Sequence, residues 1–440
     1  MKKVVEFITL GCKVNQYETN AMAQKFLEKG YEVLEENRVN NLDKVPDICI
    51  INTCTVTNMS DRKSRQMLRR VKELNSKSIV VACGCYAQVA KKELEKIKEI
   101  DLILGNNEKG EIVEHVEDYI KNQEKINIED VMQQREFVDF GNVTYTEKTR
   151  AVIKVQDGCD RFCSYCIIPY ARGRVRSRKP ENVLAEIRKV AEEGIKEVVI
   201  TGIHVASYGK DFKTEYKLID LLEEINKIEG IERIRLGSIE PLLINEEFMK
   251  RLIKLEKVCH HFHLSLQSGC DETLKRMNRR YTTQQFRNIV ECLRKYYEDV
   301  ILTTDIIVGF PGETEEEFNE TYEFLKEIKF YKMHIFKYSP RKGTKAAQMK
   351  QQIDGAKKEE RSHKLIELSD ENEKSYNKKY VGKTVEVLFE EKKDNYYKGH
   401  TKNYLLAYLA EENVKDIKIE NQIIKVKCIE GTKEHILVEM

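Results

Sequence analysis

Three cysteines stand within eight residues at the head of GCDRFCSYCIIPYARGRVRSR (residues 158–178), namely Cys159, Cys163 and Cys166. A tetrahedral zinc or a closed iron–sulfur cluster takes four protein ligands, and C-x3-C-x2-C supplies three. A [4Fe–4S] cubane on three thiolates leaves one iron open, where a small molecule can bind as it does at the open position of a catalytic metal. A zinc reading needs a fourth ligand, and none of the nine histidines stands at a convincing local spacing. The best is the HHFH run at 260–263, where His261 and His263 share one strand face, as residues lining a barrel also would.

A second set is spread along the first part of the chain. Cys12 follows VVEFITLG, Cys54 follows DICIINT and Cys85 follows SIVVACG. Each lies just past an apolar run with strand character. In an open parallel sheet such ends converge on one edge, so residues distant in sequence can meet there. Cys83 is two residues from Cys85; it reads as a strand residue directed into the sheet, with Cys85 in the turn, although spacing alone leaves that choice open. Cys49, Cys259, Cys270, Cys292 and Cys428 read as small buried hydrophobes. In the cytoplasmic setting expected here, the twelve cysteines are not taken as structural disulfides.

The elements that would position these groups imply an α/β chain of several domains, because 440 residues exceed one ordinary core. Over residues 1–120, VVEFITL, DICIIN and SIVVAC alternate with helical patterns such as YETNAMAQKFLEKG and NMSDRKSRQMLRRVKEL, which predicts a Rossmann-like parallel sheet. Residues 121–149 read as a polar linker with room for a short strand. Within 150–375, six strand candidates recur: AVIKVQDG, KEVVITG, ERIRLGS, HFHLSLQ, ILTTDIIVG and KMHIFKYS. Helical patterns follow the first five, so a partial (β/α)6 barrel with function at its C-terminal strand ends is expected. Residues 376–440 turn to short alternating strands, as in a small antiparallel β-barrel.

Lys and Arg total 76 against 74 Asp and Glu, so nucleic-acid binding must come from local basic stretches. Arg172, Arg174, Arg176, Arg178 and Lys179 follow the cysteine cluster directly and read as phosphate contacts. Arg62, Lys63, Arg65, Arg69 and Arg70 suit a solvent face equally well. Tyr397, Lys398 and Lys402, with Tyr396, His400 and Tyr404, interleave rings and charges that can stack bases and neutralise phosphates. No apolar run approaches a membrane span. The opening MKKVVEFITLGC is too short, and interrupted by Glu6, to be read as a signal peptide.

The words around these residues sharpen the reading. The triple C-x3-C-x2-C after a strand resembles the radical S-adenosylmethionine superfamily. TLGCKVNQYET, INTCTVTNMSDRKSRQ and GCYAQ, with TGIHVASYG, LGSIEP, HLSLQSG, TDIIVGFPGET and FKYSPRKGTKAA, resemble the methylthiotransferases over essentially the whole chain. The tail resembles the RNA-binding TRAM domain. TLGCKVNQYET is most similar to the tRNA threonylcarbamoyladenosine branch.

That resemblance implies two [4Fe–4S] clusters, an auxiliary one on Cys12, Cys54 and Cys85 and a radical-generating one on Cys159, Cys163 and Cys166. It implies S-adenosylmethionine as methyl donor and radical source, and a methylthio group placed at C2 of the adenine. Tyr165, Thr201, Gly202, Ser238, Glu240, Gln267 and Asp305 would meet S-adenosylmethionine. Gly309 and Gly312 would permit close backbone approach to its adenosine, with Thr314 as a helix cap. A tRNA anticodon loop and an electron donor of flavodoxin or ferredoxin type are the expected partners. The alternatives are isopentenyladenosine in tRNA, a ribosomal-protein aspartate, or a non-catalytic iron–sulfur RNA-binding sensor.

Overall fold

A computed structural model describes residues 2–34, 46–123, 128–145, 149–414 and 418–440. The first sheet contains β1 (Val4–Thr9), β2 (Glu32–Leu34), β3 (Ile48–Thr53), β4 (Ile79–Gly84) and β5 (Leu102–Ile103), all parallel in the order β2-β1-β3-β4-β5. Helices cover both faces, which is why its central strands are almost wholly apolar. Successive residues alternate between the two layers. Val81 and Cys83 join Tyr17, Phe26 and Ile112 on one side, while Val80 and Ala82 join Leu68 and Val71 on the other. The second layer contains helix Asn58–Leu74, begun by Thr57, whose side chain accepts from the Ser60 N–H (3.1 Å). Such a cap contributes about 1 kcal/mol.

The central part is an arc of parallel strands. β6 (Arg150–Asp157), β8 (Glu197–Gly202) and β9 (Arg233–Leu236) form one sheet, with the short β7 (Arg176–Ser177) antiparallel at its edge. β10 (Ser238–Ile239), β11 (His261–Gln267), β12 (Ile301–Val308) and β13 (Lys332–Lys337) form the next. Gly237 separates β9 from β10, so the six expected strands are present and the arc bends where one of them breaks. A single apolar core fills it, running from Ile153 and Ile200 through Phe262 and Leu264 to Phe330 and Leu365. This is the partial (β/α)6 barrel anticipated from the alternation.

The tail closes into a five-stranded barrel of β14 (Thr384–Lys393), β15 (Tyr396–Thr401), β16 (Leu406–Ala410), β18 (Ile436–Glu439) and β17 (Ile423–Gly431). Four of its seams are antiparallel and β16–β18 is parallel. Helix Gly355–Lys378 packs on β13 and runs through residues 375 and 376, where the sequence reading divides the last two segments; the chain leaves it only at Lys379.

The segment read as a linker holds no strand among its described residues, 121–123, 128–145 and 149; residues 124–127 and 146–148 lie outside them. It packs rather than spans. Val131, Phe140 and Val143 are buried, and the Gln24 side chain donates to the Asn142 carbonyl (2.9 Å).

Candidate functional site

Both cysteine sets stand where strands end. Cys12 precedes helix Lys13–Glu28, Cys54 follows β3, and Cys85 opens the short helix after β4. Cys54 lies close enough to Cys12 and Cys85 that each disfavours its ionisation; with burial as the main cause, its thiol is pushed up to about 11. The approach depends on Gly11. It sits at φ +111°, and a Cβ there would stand 2.9 Å from both Cβ and Sγ of Cys54. Replacing Gly11 by alanine is therefore expected to displace Cys54 and lower the iron bound at this triad, while iron at the barrel triad is unchanged. Iron analysis of the variant alongside one lacking the barrel cysteines checks this. Cys83 is fully buried in the apolar layer under helix Lys13–Glu28.

The barrel triad is held in a tight loop after β6. Cys159 N–H donates to the Gly173 carbonyl (3.0 Å) and Cys166 N–H to the Cys163 carbonyl (2.9 Å). Phe162 adopts φ 48°, in the left-handed region, and Arg174 lies 4.8 Å over its ring. Burial first, then Cys163 nearby, raises the thiols of Cys159 to about 11 and Cys166 to about 12. Crowded buried thiols resist ionisation as free groups and are ionised outright by a metal. Three cysteines at each place, with Cys83 buried in the strand layer instead, fit a cluster with one open iron.

The barrel triad, and Cys12 of the other set, face one cavity of about 810 Å3. Cys12, Cys159, Cys163 and Cys166 line it, as do Tyr165, Thr201, Gly202, Ser238, Glu240, Gln267 and Asp305. These residues expected to meet S-adenosylmethionine are thus brought to one place, but Gly309 and Gly312 do not line it: the Gly309 N–H donates to the Glu313 carboxylate (3.1 Å). Cys54 and Cys85 sit behind this wall, each buried. Glu240 accepts from Arg279 Nη2 (3.1 Å) and pairs with His204 Nε2 (3.4 Å). Burial alone would raise its carboxyl, but His204, Arg279 and Arg161 together hold it below the usual range. Arg279 also donates to Cys163 Sγ (3.5 Å) and to the Ser265 carbonyl (2.8 Å), tying loop to sheet. Sequence reading missed Arg279, His204 and Arg161, which carry no spacing signal of their own.

The far wall is made by the side chains of β11, β12 and β13. His261 and His263 share a face as expected, each 3.0 Å from Thr303 Oγ1; His263 Nε2 also meets Asp305 Oδ2 (3.2 Å), with His334 and Lys332 alongside. Tyr404 of the small barrel stacks on His261 (4.3 Å between ring centres) and on His400 (4.7 Å), so the tail contributes directly to the cavity. Tyr404 has φ 82°, in the turn between β15 and β16, which the sequence presents as one run.

The arginine run requires a correction. Arg172, Arg176 and Arg178 are at most 2% exposed and cannot reach RNA phosphates. Their partners come from several elements, near and distant in sequence. Arg178 pairs with Glu186 (2.5 Å) and Asp139 (2.8 Å), and Arg172 with Glu18 (2.5 Å) and Asp157 (3.2 Å). Burial would lift the Glu18 carboxyl, but Arg172, Lys109 and Lys154 hold it well below the usual range. Arg174 and Lys179 are exposed, as are Arg62, Lys63 and Arg69 on helix Asn58–Leu74. On the small barrel, Tyr397 and Lys398 are half-buried; Lys398 lies 4.9 Å over Tyr408, and Lys402 donates to the Glu256 carbonyl.

Comparison with known proteins places this geometry. Residues 153–325 match the radical SAM superfamily, and residues 4–105 match the uncharacterized protein family UPF0004. The chain is 40% identical, over 97% of its length and 94% of the other's, to the threonylcarbamoyladenosine tRNA methylthiotransferase MtaB of Bacillus subtilis. It is 43% identical to the protein of the same name from Aquifex aeolicus, over 87% and 92% of the two chains. The tRNA-2-methylthio-N(6)-dimethylallyladenosine synthase of Caldicellulosiruptor saccharolyticus is 36% identical, over 97% and 87%. Among solved structures, the radical S-adenosylmethionine methyltransferase TsrM from Kitasatospora setae has the same fold at 15% identity (TM-score 0.55, 77% of each chain).

Proposed function

Because this chain belongs to the radical S-adenosylmethionine tRNA methylthiotransferase family, we propose that it converts threonylcarbamoyladenosine in tRNA to the 2-methylthio derivative, using two [4Fe–4S] clusters and S-adenosylmethionine. The observation that carries the substrate is the far wall of the cavity. Its side chains, His261, His263, Thr303, Asp305, Lys332 and His334, are all polar. A threonylcarbamoyl group brings a carboxylate, a hydroxyl and a urea to pair with them. An isopentenyl group is hydrocarbon and would take water from the polar atoms that face it without offering them a partner.

When bound, the clusters and S-adenosylmethionine supply the electron transfer, the radical, the methyl group and the sulfur. The chain's own residues position and enclose. Cys159, Cys163 and Cys166 would hold the radical-generating cluster, and Cys12, Cys54 and Cys85 the auxiliary one. Thr201 and Gly202 end β8 at the cavity, where backbone groups are available to an ammonium or carboxylate. Glu240, held ionised by Arg279 and His204, is an acceptor for an ammonium or a ribose hydroxyl. Tyr165 is held edge-on by Phe310 (6.4 Å) and closes one side against water. Exposed Arg62, Lys63, Arg69, Arg174 and Lys179 would contact the anticodon-loop phosphates. A one-electron donor of flavodoxin or ferredoxin type completes the reaction, and a tRNA substrate places the protein in the cytoplasm. Among the described residues, no helix is long and apolar enough to cross a membrane.

Purified, cluster-loaded protein given tRNA carrying either modification is expected to prefer threonylcarbamoyladenosine. His334→Leu is expected to narrow that preference by roughly 10- to 100-fold in kcat/KM, the loss of a hydrogen bond to a charged group being worth about 1.5–3 kcal/mol. A preference of wild type for the isopentenyl tRNA would overturn the substrate reading and keep the family.

A further inference from the structure

The charges around Arg172 do not balance. Between the first sheet and β6, Lys109 and Lys154 donate to Glu18 (2.6 and 2.7 Å), Lys154 also to Asp157 (2.6 Å), and Arg172 to both carboxylates. Arg176 Nη2 lies 3.9 Å from Asp157. Four buried cations thus face two buried carboxylates, with no side chain of the six more than 7% exposed. An excess of buried positive charge is costly unless an anion stands beside it.

The remaining Arg172 donor identifies that anion. Its Nε lies 3.2 Å from Cys85 Sγ, while Nη2 is occupied by Asn15 Oδ1 (2.6 Å) and Glu18 Oε2 (3.0 Å). Asn106 Nδ2 approaches the same sulfur at 3.8 Å, held by the Ala171 carbonyl (2.7 Å). As a free thiol, Cys85 offers no counter-charge. As a ligand thiolate on a three-cysteine [4Fe–4S] cluster, which is an anion, it does.

We propose that Arg172 is a positioning residue of the auxiliary cluster: its Nε–H bonds the Cys85 thiolate, and the cation excess behind it raises that cluster's reduction potential. The inference rests on Cys12, Cys54 and Cys85 being the ligands. A donor and positive charge beside a cluster sulfur favour the reduced state, which carries one more electron. The same network joins helix Lys13–Glu28 to β6, so the potential of one cluster is set by groups that also seat the two cluster-bearing sheets against each other.

The test uses the full chain with Cys159, Cys163 and Cys166 all changed to alanine, so that only the auxiliary cluster remains. Iron content and a redox titration followed by electron paramagnetic resonance are measured for this background, then with Arg172→Gln, Arg172→Lys or Glu18→Gln added. Arg172→Gln is expected to move the midpoint negative by about the tenfold equivalent for a one-electron couple, about 59 mV. Arg172→Lys keeps the charge and loses the Nε–H, so its shift is smaller and of the same sign. Glu18→Gln removes a nearby negative charge and shifts the midpoint positive.

A merely structural role would lower iron content without shifts of opposite sign. If Arg172→Gln does not fold, the lysine and Glu18 variants decide. Unmoved midpoints, or shifts of one sign in all variants, overturn this inference alone. A background chain that holds no iron overturns the ligand assignment and this inference together.

Discussion

Cys85→Ala is expected to stop methylthiolation of tRNA while S-adenosylmethionine is still cleaved reductively at the wild-type rate, and Cys83→Ala is expected to retain both activities. The two cysteines are neighbours in sequence but occupy different surroundings. Cys83 is a strand residue in the apolar layer beneath helix Lys13–Glu28, and burial pushes its thiol up to about 12. Trimming it to alanine removes a buried sulfur and costs about 1 kcal/mol of stability. Cys85 begins the helix after Gly84, on the side of Cys54, with Arg172 at its sulfur. Its loss leaves two thiolates, too few to hold a cubane, and strands the Arg172 charge without its counter-ion. Product analysis for 5′-deoxyadenosine and for modified nucleosides separates the two activities. If Cys83→Ala were the variant that cleaved without inserting sulfur, the ligand assignment would be wrong.

Cys159→Ala is expected to abolish both activities, with cleavage of S-adenosylmethionine falling to the background of protein lacking the barrel cluster. The loop from Cys159 to Cys166 contains no fourth cysteine, and the groups at its sulfurs, the Arg161 backbone N–H (3.5 Å from Cys159 Sγ) and the Arg279 guanidinium (3.5 Å from Cys163 Sγ), are donors that cannot replace a thiolate. Iron at the auxiliary triad is expected to remain. Its retention, read by iron analysis and by the spectrum of the reduced protein, shows that the loss is local. Cleavage above background in this variant would place the radical chemistry elsewhere.

What was legible in the sequence was what repeats or converges. Apolar runs followed by amphipathic segments give the parallel strands, and the two cysteine sets stand at the ends of those runs, so chemistry and architecture point to one edge. β2 and β5, with three and two residues, are too short to show a pattern. The arginine run was misread for a physical reason. A run of alternating basic residues resembles a solvated stretch, and the carboxylates that draw Arg172 and Arg178 inward, Glu18, Asp139, Asp157 and Glu186, are invisible until the chain folds. The same holds for Arg279 and His204, which matter because of what β11 and the loop after β8 place beside them. His334 lies in a strand pattern like any other and gains its meaning from Asp305 and His263 across the sheet.

The central claim is that this chain puts a methylthio group on threonylcarbamoyladenosine. The most direct measurement is mass spectrometry of nucleosides from the total tRNA of a host lacking the gene, with and without the gene restored. The account predicts 2-methylthio-threonylcarbamoyladenosine only where the gene is present, with unmodified threonylcarbamoyladenosine accumulating in its absence. A gene-dependent change confined to the isopentenyl nucleoside, or no change in any tRNA nucleoside, would contradict it.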